Sequence, residues 1–185
     1  MKKIFYLKRA EVSSTGSSTG SSTREIVKKI LSSKFDIPAP EIITSENGKP
    51  YLANIGETPL YFSISHTDEL LFIAFSDKNV GIDAEKTSRK VDYAPIVKKF
   101  SEKEREKISS ALDFLCAWTA KESAVKWLGG TLGRDLRHVR LIDNQLYYKS
   151  LPLPLSVSFL TFQEHVLAVC SEEDFSNVNV EPFLE

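Results

Sequence analysis

Apolar residues fall at three-and-four spacing along residues 114–128, where Leu115, Trp118 and Val125 share one stripe with a single acid, Glu122. Ala, Leu, Lys and Glu favour helix, no Pro interrupts, and Gly129-Gly130 follows. The stretch is therefore predicted to be a helix that stops at those glycines. A second apolar face, Ile26, Val27, Ile30 and Leu31, predicts a helix over residues 24–33, capped by Thr23 and closed off by Pro38 and Pro40. Ser101 and Glu104 stand at capping-box spacing and mark a further helix start.

Elsewhere the period is two. Ile4-Phe5-Tyr6-Leu7 and residues 60–66, 70–76 and 79–85 read as strands, the last two joined as a hairpin about Asp77-Lys78. Ile42-Ile43-Thr44 and residues 49–52 are extended segments around a turn at Glu46-Asn47-Gly48, and residues 86–95 read as a linker. The Ser/Thr/Gly tract over residues 13–23 has almost nothing to bury. It is either a flexible loop or, with hydroxyls and backbone N–H groups ahead of a helix start, a place for a phosphate.

The last third echoes the first half. Residues 143–148 echo 47–52, residues 155–159 echo 62–66 with Phe159 in the place of His66, and residues 165–171 echo 70–76. Strand patterns resemble one another easily by chance, and a duplication is the other account of that order. It predicts an α+β pseudo-dimer of two similar halves, residues 1–92 and 93–185, each a small, mostly antiparallel sheet packed by a helix. The site would lie in the cleft between them, with Asp83 and Glu85 from one half and Glu122 from the other. Both sides of the cleft then come from one polypeptide, and a monomer is expected.

Composition narrows the function classes. With 185 residues, 42% hydrophobic and 26% charged, the chain has the make-up of a soluble globular protein. A net charge of −1 argues against a broad nucleic-acid surface. No run approaches the ~18 apolar residues of a membrane span, and the N-terminus lacks a signal-peptide core, so no membrane partner and a cytoplasmic location are expected. Cys116 and Cys170 read as buried, reduced thiols.

The candidate chemistry is carried by acids. Asp83 and Glu85 are two apart on a strand and project from one face. With Glu122 they make an oxygen-rich set suited to Mg²⁺, or Mn²⁺ in its place, since Mg²⁺ takes few carboxylates beside water and substrate phosphates. Glu122 among apolar neighbours needs a compensating cation. Lys126, one turn on, is the nearest candidate, although an exposed i,i+4 pair is worth only ~0.3–0.5 kcal/mol and implies no function.

Val80-Gly81-Ile82-Asp83-Ala84-Glu85 is followed by Trp118-Thr119-Ala120-Lys121-Glu122-Ser123-Ala124-Val125-Lys126, and preceded by Gly48-Lys49-Pro50 and Ser63-Ile64-Ser65-His66. These four motifs, in this order, resemble the 4′-phosphopantetheinyl transferases of the larger, surfactin-synthetase-activating type. The resemblance implies a pseudo-dimer that transfers 4′-phosphopantetheine from coenzyme A to a serine of an apo acyl or peptidyl carrier protein and releases adenosine 3′,5′-bisphosphate. It implies Mg²⁺ on Asp83, Glu85 and Glu122, Lys126 as a fixed cation at the same phosphate oxygens, and Glu122 as proton acceptor. Coenzyme A contacts are implied for Ser65 and His66 (phosphate), for Lys49 (beside the adenine) and for Lys121, which would meet phosphate or solvent. Trp118 is read as a core anchor. The family's basic residues ahead of Gly-Lys-Pro, which hold the 3′-phosphate, are replaced here by the Ser/Thr/Gly tract, leaving Arg24 as candidate with Lys28 and Lys29 nearby. Carrier proteins of this family are acidic, and Lys98, Lys99, Lys103, Arg105 and Lys107 against Glu102, Glu104 and Glu106 leave a local +2. Two rivals stand beside this reading: a non-catalytic module of the same fold that binds coenzyme A or a carrier, and a different Mg²⁺-dependent phosphotransfer enzyme. The first is disfavoured because all three acids and Lys126 occur together. The second is disfavoured by the absence of a Gly-x-x-x-x-Gly-Lys loop.

Overall fold

The computed structural model describes residues 1–9, 22–53 and 59–183. Its first sheet is built around β5 (Leu70–Ser76), buried at every position. β1 (Lys2–Lys8) and β4 (Tyr61–His66) pair antiparallel with its two edges, and β12 (Val180–Pro182) joins β1 in parallel. The second sheet is built the same way around β11 (His165–Ser171), again buried throughout, between β10 (Ser156–Phe162) and β6 (Val80–Lys86). Leu-Leu-Phe-Ile-Ala-Phe and Val-Leu-Ala-Val-Cys are the unbroken apolar runs that a strand covered on both faces requires. Ile4, Phe72 and Ala74 of the first sheet pack with Ile82, Leu167 and Val169 of the second in one cluster, closed by Phe175.

The expected hairpin of residues 70–76 with 79–85 does not form. Both edges of β5 are taken by β1 and β4, so the chain leaves the first sheet after Ser76 and β6 pairs with β11 instead. β6 lies in the sheet that the long helix covers, so Asp83 and Glu85 from residues 1–92 and Glu122 from residues 93–185 stand on one sheet and its helix. Aligning β5 with β11 so that Ser76 matches Ser171, the ladders put Ser63 in the row of Ser158 and Ile64 in the row of Phe159. Thr161, not Phe159, therefore stands where the first sheet has His66.

Each sheet has its helix. α1 (Thr23–Phe35) is capped by Ser22 rather than Thr23, because Ser22 and Glu25 bond reciprocally as a capping box. Its buried Ile26, Val27, Ile30 and Leu31 join Phe5, Leu7, Phe62, Ile73 and Phe75. Short helices α2 (Ala94–Val97) and α3 (Glu102–Arg105) follow β6, α3 opening on the predicted Ser101–Glu104 box. α4 (Ala111–Leu128) starts on a Ser110–Asp113 box and ends at Gly129, whose φ of 66° is the left-handed conformation glycine adopts without strain. Around these lie the β2 (Ile42–Thr44) and β3 (Pro50–Leu52) hairpin, the one-turn α5 (Leu132–Asp135), and a small sheet of β7 (Val139–Ile142), β8 (Gln145–Tyr148) and β9 (Leu151–Pro152). The Ser/Thr/Gly tract over residues 13–23 falls almost wholly outside the described residues. Among those described, no helix is long and apolar enough to cross a membrane.

One glycine decides how the second sheet meets its helix. A Cβ on Gly81 would sit 2.0 Å from the Ser123 carbonyl oxygen and 2.6 Å from the Trp127 nitrogen. The backbone of α4 therefore rests directly on β6, and Lys126 is brought within reach of Asp83.

Candidate active site on β6 and α4

Asp83 is the centre of the arrangement. Its side chain is 6% exposed, and its Oδ1 accepts from Lys126 Nζ at 2.8 Å and from Ser65 Oγ at 2.9 Å. Lys126 Nζ also donates to the Ile82 carbonyl at 2.9 Å and stays a quarter exposed. Oδ2 of Asp83 is buried without a partner among the described residues. A buried acceptor on a charged group is costly to leave unmet, so this oxygen calls for a donor or a cation.

Glu122 is half-buried on the same side of α4. Burial first, and then the neighbouring charge of Asp83, push its carboxyl up to about 8, with Lys126 pulling the other way. Lys126, the expected partner of Glu122, is thus bonded to Asp83 instead. The reason is geometric: close packing at Gly81 puts the strand carboxylate nearer to the ammonium than a turn of helix does. Glu85, the third acid, is half-buried and paired with the Arg89 guanidinium, which also feels Glu122.

Among the described residues no three His, Cys, Asp or Glu side chains converge as a metal set. Arg89 holds Glu85 aside. The remaining pair still fits a hard divalent cation: one buried carboxylate oxygen lacks a partner, and one acid is driven toward its neutral form by burial and then by the neighbouring Asp83. Two carboxylates beside water and phosphate oxygens are an ordinary complement for Mg²⁺.

Glu85 and Arg89 also line a cavity of about 470 Å³ that includes His66, Thr67, Arg9, Lys86 and Lys90. His66 is exposed at the end of β4. Arg9, just past the end of β1, donates to the Thr67 carbonyl at 3.2 Å, and Lys86 pairs with Glu69 at 2.5 Å. The wall carries both charges: Lys86 and Arg89 are paired with Glu69 and Glu85, Asp68 is a third acid, and Arg9 and Lys90 are further cations drawn from separate parts of the chain. Nothing local in the sequence marks Arg9 or Lys90 as members. Arg89 could have been suspected, four residues beyond Glu85.

Four coenzyme A candidates are engaged with the protein itself. Lys121 is shut off from solvent: its ammonium is buried against Glu104 at 2.9 Å and over the Phe100 ring, and burial lowers its pKa despite that partner. Glu104 in turn accepts from the Leu141 N–H and from Ser101, so α3, α4 and β7 are tied at one point. The cause is that α4 is packed on more than one side, by β6 and β11 and also by β7, where a single apolar stripe was expected. Lys49 sends its ammonium to Asn79 at 2.9 Å and to the Trp127 carbonyl at 3.3 Å, closing the end of α4, and burial lowers it to about 8. Arg24 lies on the exposed first turn of α1 and donates to Thr44 on β2. Ser65 is buried and spent on β4–β6 contacts. Trp118 packs as expected in an apolar cluster, stacked on Phe114. Cys170 is buried and its thiol is pushed up to about 12 by that burial, while burial also raises Cys116.

An acidic strand is thus laid directly on a lysine-bearing helix, beside a cavity lined by both charges. Comparison with known proteins gives the chain a family. The profile described as the 4′-phosphopantetheinyl transferase superfamily matches residues 79–170, which span β6, α4 and the β10–β11 pair. The chain is 30% identical over 156 residues to the 4′-phosphopantetheinyl transferase AcpT of Salmonella typhi, covering 80% of this chain and 76% of that protein. It is 31% identical over 147 residues to AcpT of Escherichia coli O157:H7, covering 75% and 70%. It is 32% identical over 112 residues to the 4′-phosphopantetheinyl transferase gsp of Aneurinibacillus migulanus, covering 56% and 45%. The chain belongs to the 4′-phosphopantetheinyl transferase superfamily.

Proposed function

We propose that this protein moves the 4′-phosphopantetheine group of coenzyme A onto a serine hydroxyl of an apo acyl or peptidyl carrier protein, with adenosine 3′,5′-bisphosphate as the second product. The observation that carries this reading is the Asp83–Lys126 pair with Glu122 beside it, a buried set of opposite charges with one carboxylate oxygen unmet. In the reaction the serine oxygen bonds to the β-phosphorus, and the bond from that phosphorus to the bridging oxygen breaks. Glu122 accepts the serine proton on its carboxylate. Lys126, still a quarter exposed, supplies fixed positive charge at the phosphate oxygens as the bridging oxygen leaves. Mg²⁺ or Mn²⁺ held by Asp83 and Glu122, with Glu85 once Arg89 lets it go, would neutralise the charge that builds on the diphosphate.

The cavity beside Glu85 supports a diphosphate substrate, with Arg9 and Lys90 as cations and His66 as a hydrogen-bonding group in its wall. Arg9 and Lys90 are therefore better placed than Arg24 to serve the nucleotide phosphates, and Lys121 and Lys49 serve the fold. For the carrier, the surface of residues 98–107 is more basic than its composition implies. Glu104 is withdrawn into the interior, so Lys98, Lys99, Lys103, Arg105 and Lys107 face solvent against Glu102, Glu106 and the Asp143 that pairs with Lys107. That favours an acidic partner. A monomer, with halves dividing near residue 92, completes the reading. Incubation with coenzyme A, Mg²⁺ and an apo carrier, followed by weighing the carrier, tests it: the carrier gains one phosphopantetheine. Asp83→Ala should abolish the gain while circular dichroism stays that of the folded protein. An Asp83→Ala variant with full turnover would remove Asp83 from the site.

A further inference from the structure

Ser63 and Ser65 stand two apart on β4, both 4% exposed, and face β6 of the other sheet. The two strands are not ladder partners. Their hydroxyls do what carbonyls do in a ladder: Ser63 Oγ accepts the Ile82 N–H and Ser65 Oγ accepts the Ala84 N–H, each at 3.1 Å. A hydroxyl also has one proton to give. Ser65 gives it to Asp83 Oδ1 at 2.9 Å.

We infer that Ser65 is a positioning residue for Asp83 rather than a contact of coenzyme A. This rests on the transferase reading above. Lys126 alone is a point charge on a flexible stem, and a carboxylate facing it can pivot to offer either oxygen. The second, directional bond from Ser65 fixes Oδ1 on the strand-and-helix side, and Oδ2 is left as the oxygen without a partner. Ser65 is itself anchored by the Ala84 N–H, next to Asp83 in the chain, so strand and carboxylate are held by one oxygen atom. With one bond accepted, one donated and almost no exposed surface, that hydroxyl is already committed.

Ser63 provides the internal control, because Ser63→Ala removes the same kind of bond to β6 without releasing Asp83. The two alanine variants are compared by the ¹³C carboxyl signal of Asp83 without substrate, by calorimetric coenzyme A affinity in EDTA, and by carrier turnover with Mg²⁺. Ser65→Ala should move the Asp83 signal and lower kcat roughly ten- to hundredfold, the rate equivalent of one hydrogen bond to a charged group. Its coenzyme A affinity in EDTA should stay within about twofold of wild type, and Ser63→Ala should leave all three readouts near wild type. Weakened coenzyme A binding with an unmoved Asp83 signal would make Ser65 a substrate contact and overturn the inference. Equal losses in the two variants would reduce Ser65 to a stitch between strands and overturn it as well. The carboxyl signal needs no substrate, so a wild-type protein that modifies no carrier would sink the transferase reading while the Ser65–Asp83 link is still judged by that signal.

Discussion

The two sheets of this protein share one plan: a first strand, a helix laid over it, and a later pair of strands, in the order β1-β5-β4 and β6-β11-β10. Aligned on their central strands, Phe5 and Leu7 of β1 fall where β6 has Asp83 and Glu85, and Lys3 falls where β6 has Gly81. The first unit uses those positions for packing. Phe5 and Leu7 are buried under α1, whose four buried residues form a plain apolar stripe. In the second unit Gly81 brings the helix down onto the strand, and the neighbouring inward positions carry acids. α4 buries nine residues, among them Thr119, Lys121 and Ser123. One copy of the plan spends its interior on apolar contact and the other on paired charge, and the site is found in the second. Three substitutions break or sharpen this contrast.

The largest effect is expected at Lys121. Lys121→Ala leaves Glu104 charged and buried without its partner, which should cost about 3–5 kcal/mol in urea unfolding. Lys34→Ala, in the exposed last turn of α1, should stay within about 0.5 kcal/mol. Replacing both partners, Lys121→Met with Glu104→Gln, should cost less than Lys121→Ala alone, because no unpaired charge remains. Equal, small losses in both helices would show that α4 tolerates charge as α1 does, and the contrast would fail. Next comes Gly81→Ala. Its methyl would collide with helix backbone, not with a side chain that can swing away, so α4 must lift. A loss of about 1–3 kcal/mol is expected, with a fall in transfer activity as Lys126 is drawn from Asp83. Lys3→Ala at the matching position should again be within about 0.5 kcal/mol.

Much of this was legible in the chain, and the failures share a cause. The end of α4 at Gly129, the Ser101–Glu104 box and the acid spacing on β6 are local signals, fixed by residues within a turn or two. What sequence did not reveal depends on distant partners. Lys121 meets Glu104 across 17 positions, Lys49 meets Trp127 across 78, and the β6–β11 pairing joins segments about eighty residues apart. A lysine on a helix face reads as solvent-bound until a buried carboxylate is known to face it. A Gly-Lys-Pro lysine reads as a ligand contact until a helix end is known to need it. The predicted hairpin of residues 70–76 with 79–85 failed similarly, since alternation shows that two strands exist but not which edges are still free.

The smallest effect, and the most specific, is the pH dependence that separates the acid of one helix from the acid of the other. Glu122 on α4 is raised from 4.5 to about 8, chiefly by burial and then by Asp83. Between those values the folded protein keeps a proton that the unfolded chain has released. The native state then binds more protons, and stability falls as pH rises. The contribution is complete below about 4.5, is lost progressively up to about 8, and is flat beyond. Glu25 on α1 is lowered instead, by the Ser22 backbone N–H and then its hydroxyl, so its contribution is present above 4.5 and is lost only as pH falls below that value. Chemical unfolding in metal-free buffer should therefore show wild type losing of order 1 kcal/mol between pH 6.5 and 8.5. Glu122→Gln should remove that slope, and Glu25→Gln should leave it unchanged. A slope that survives Glu122→Gln would place the titrating group elsewhere in the molecule.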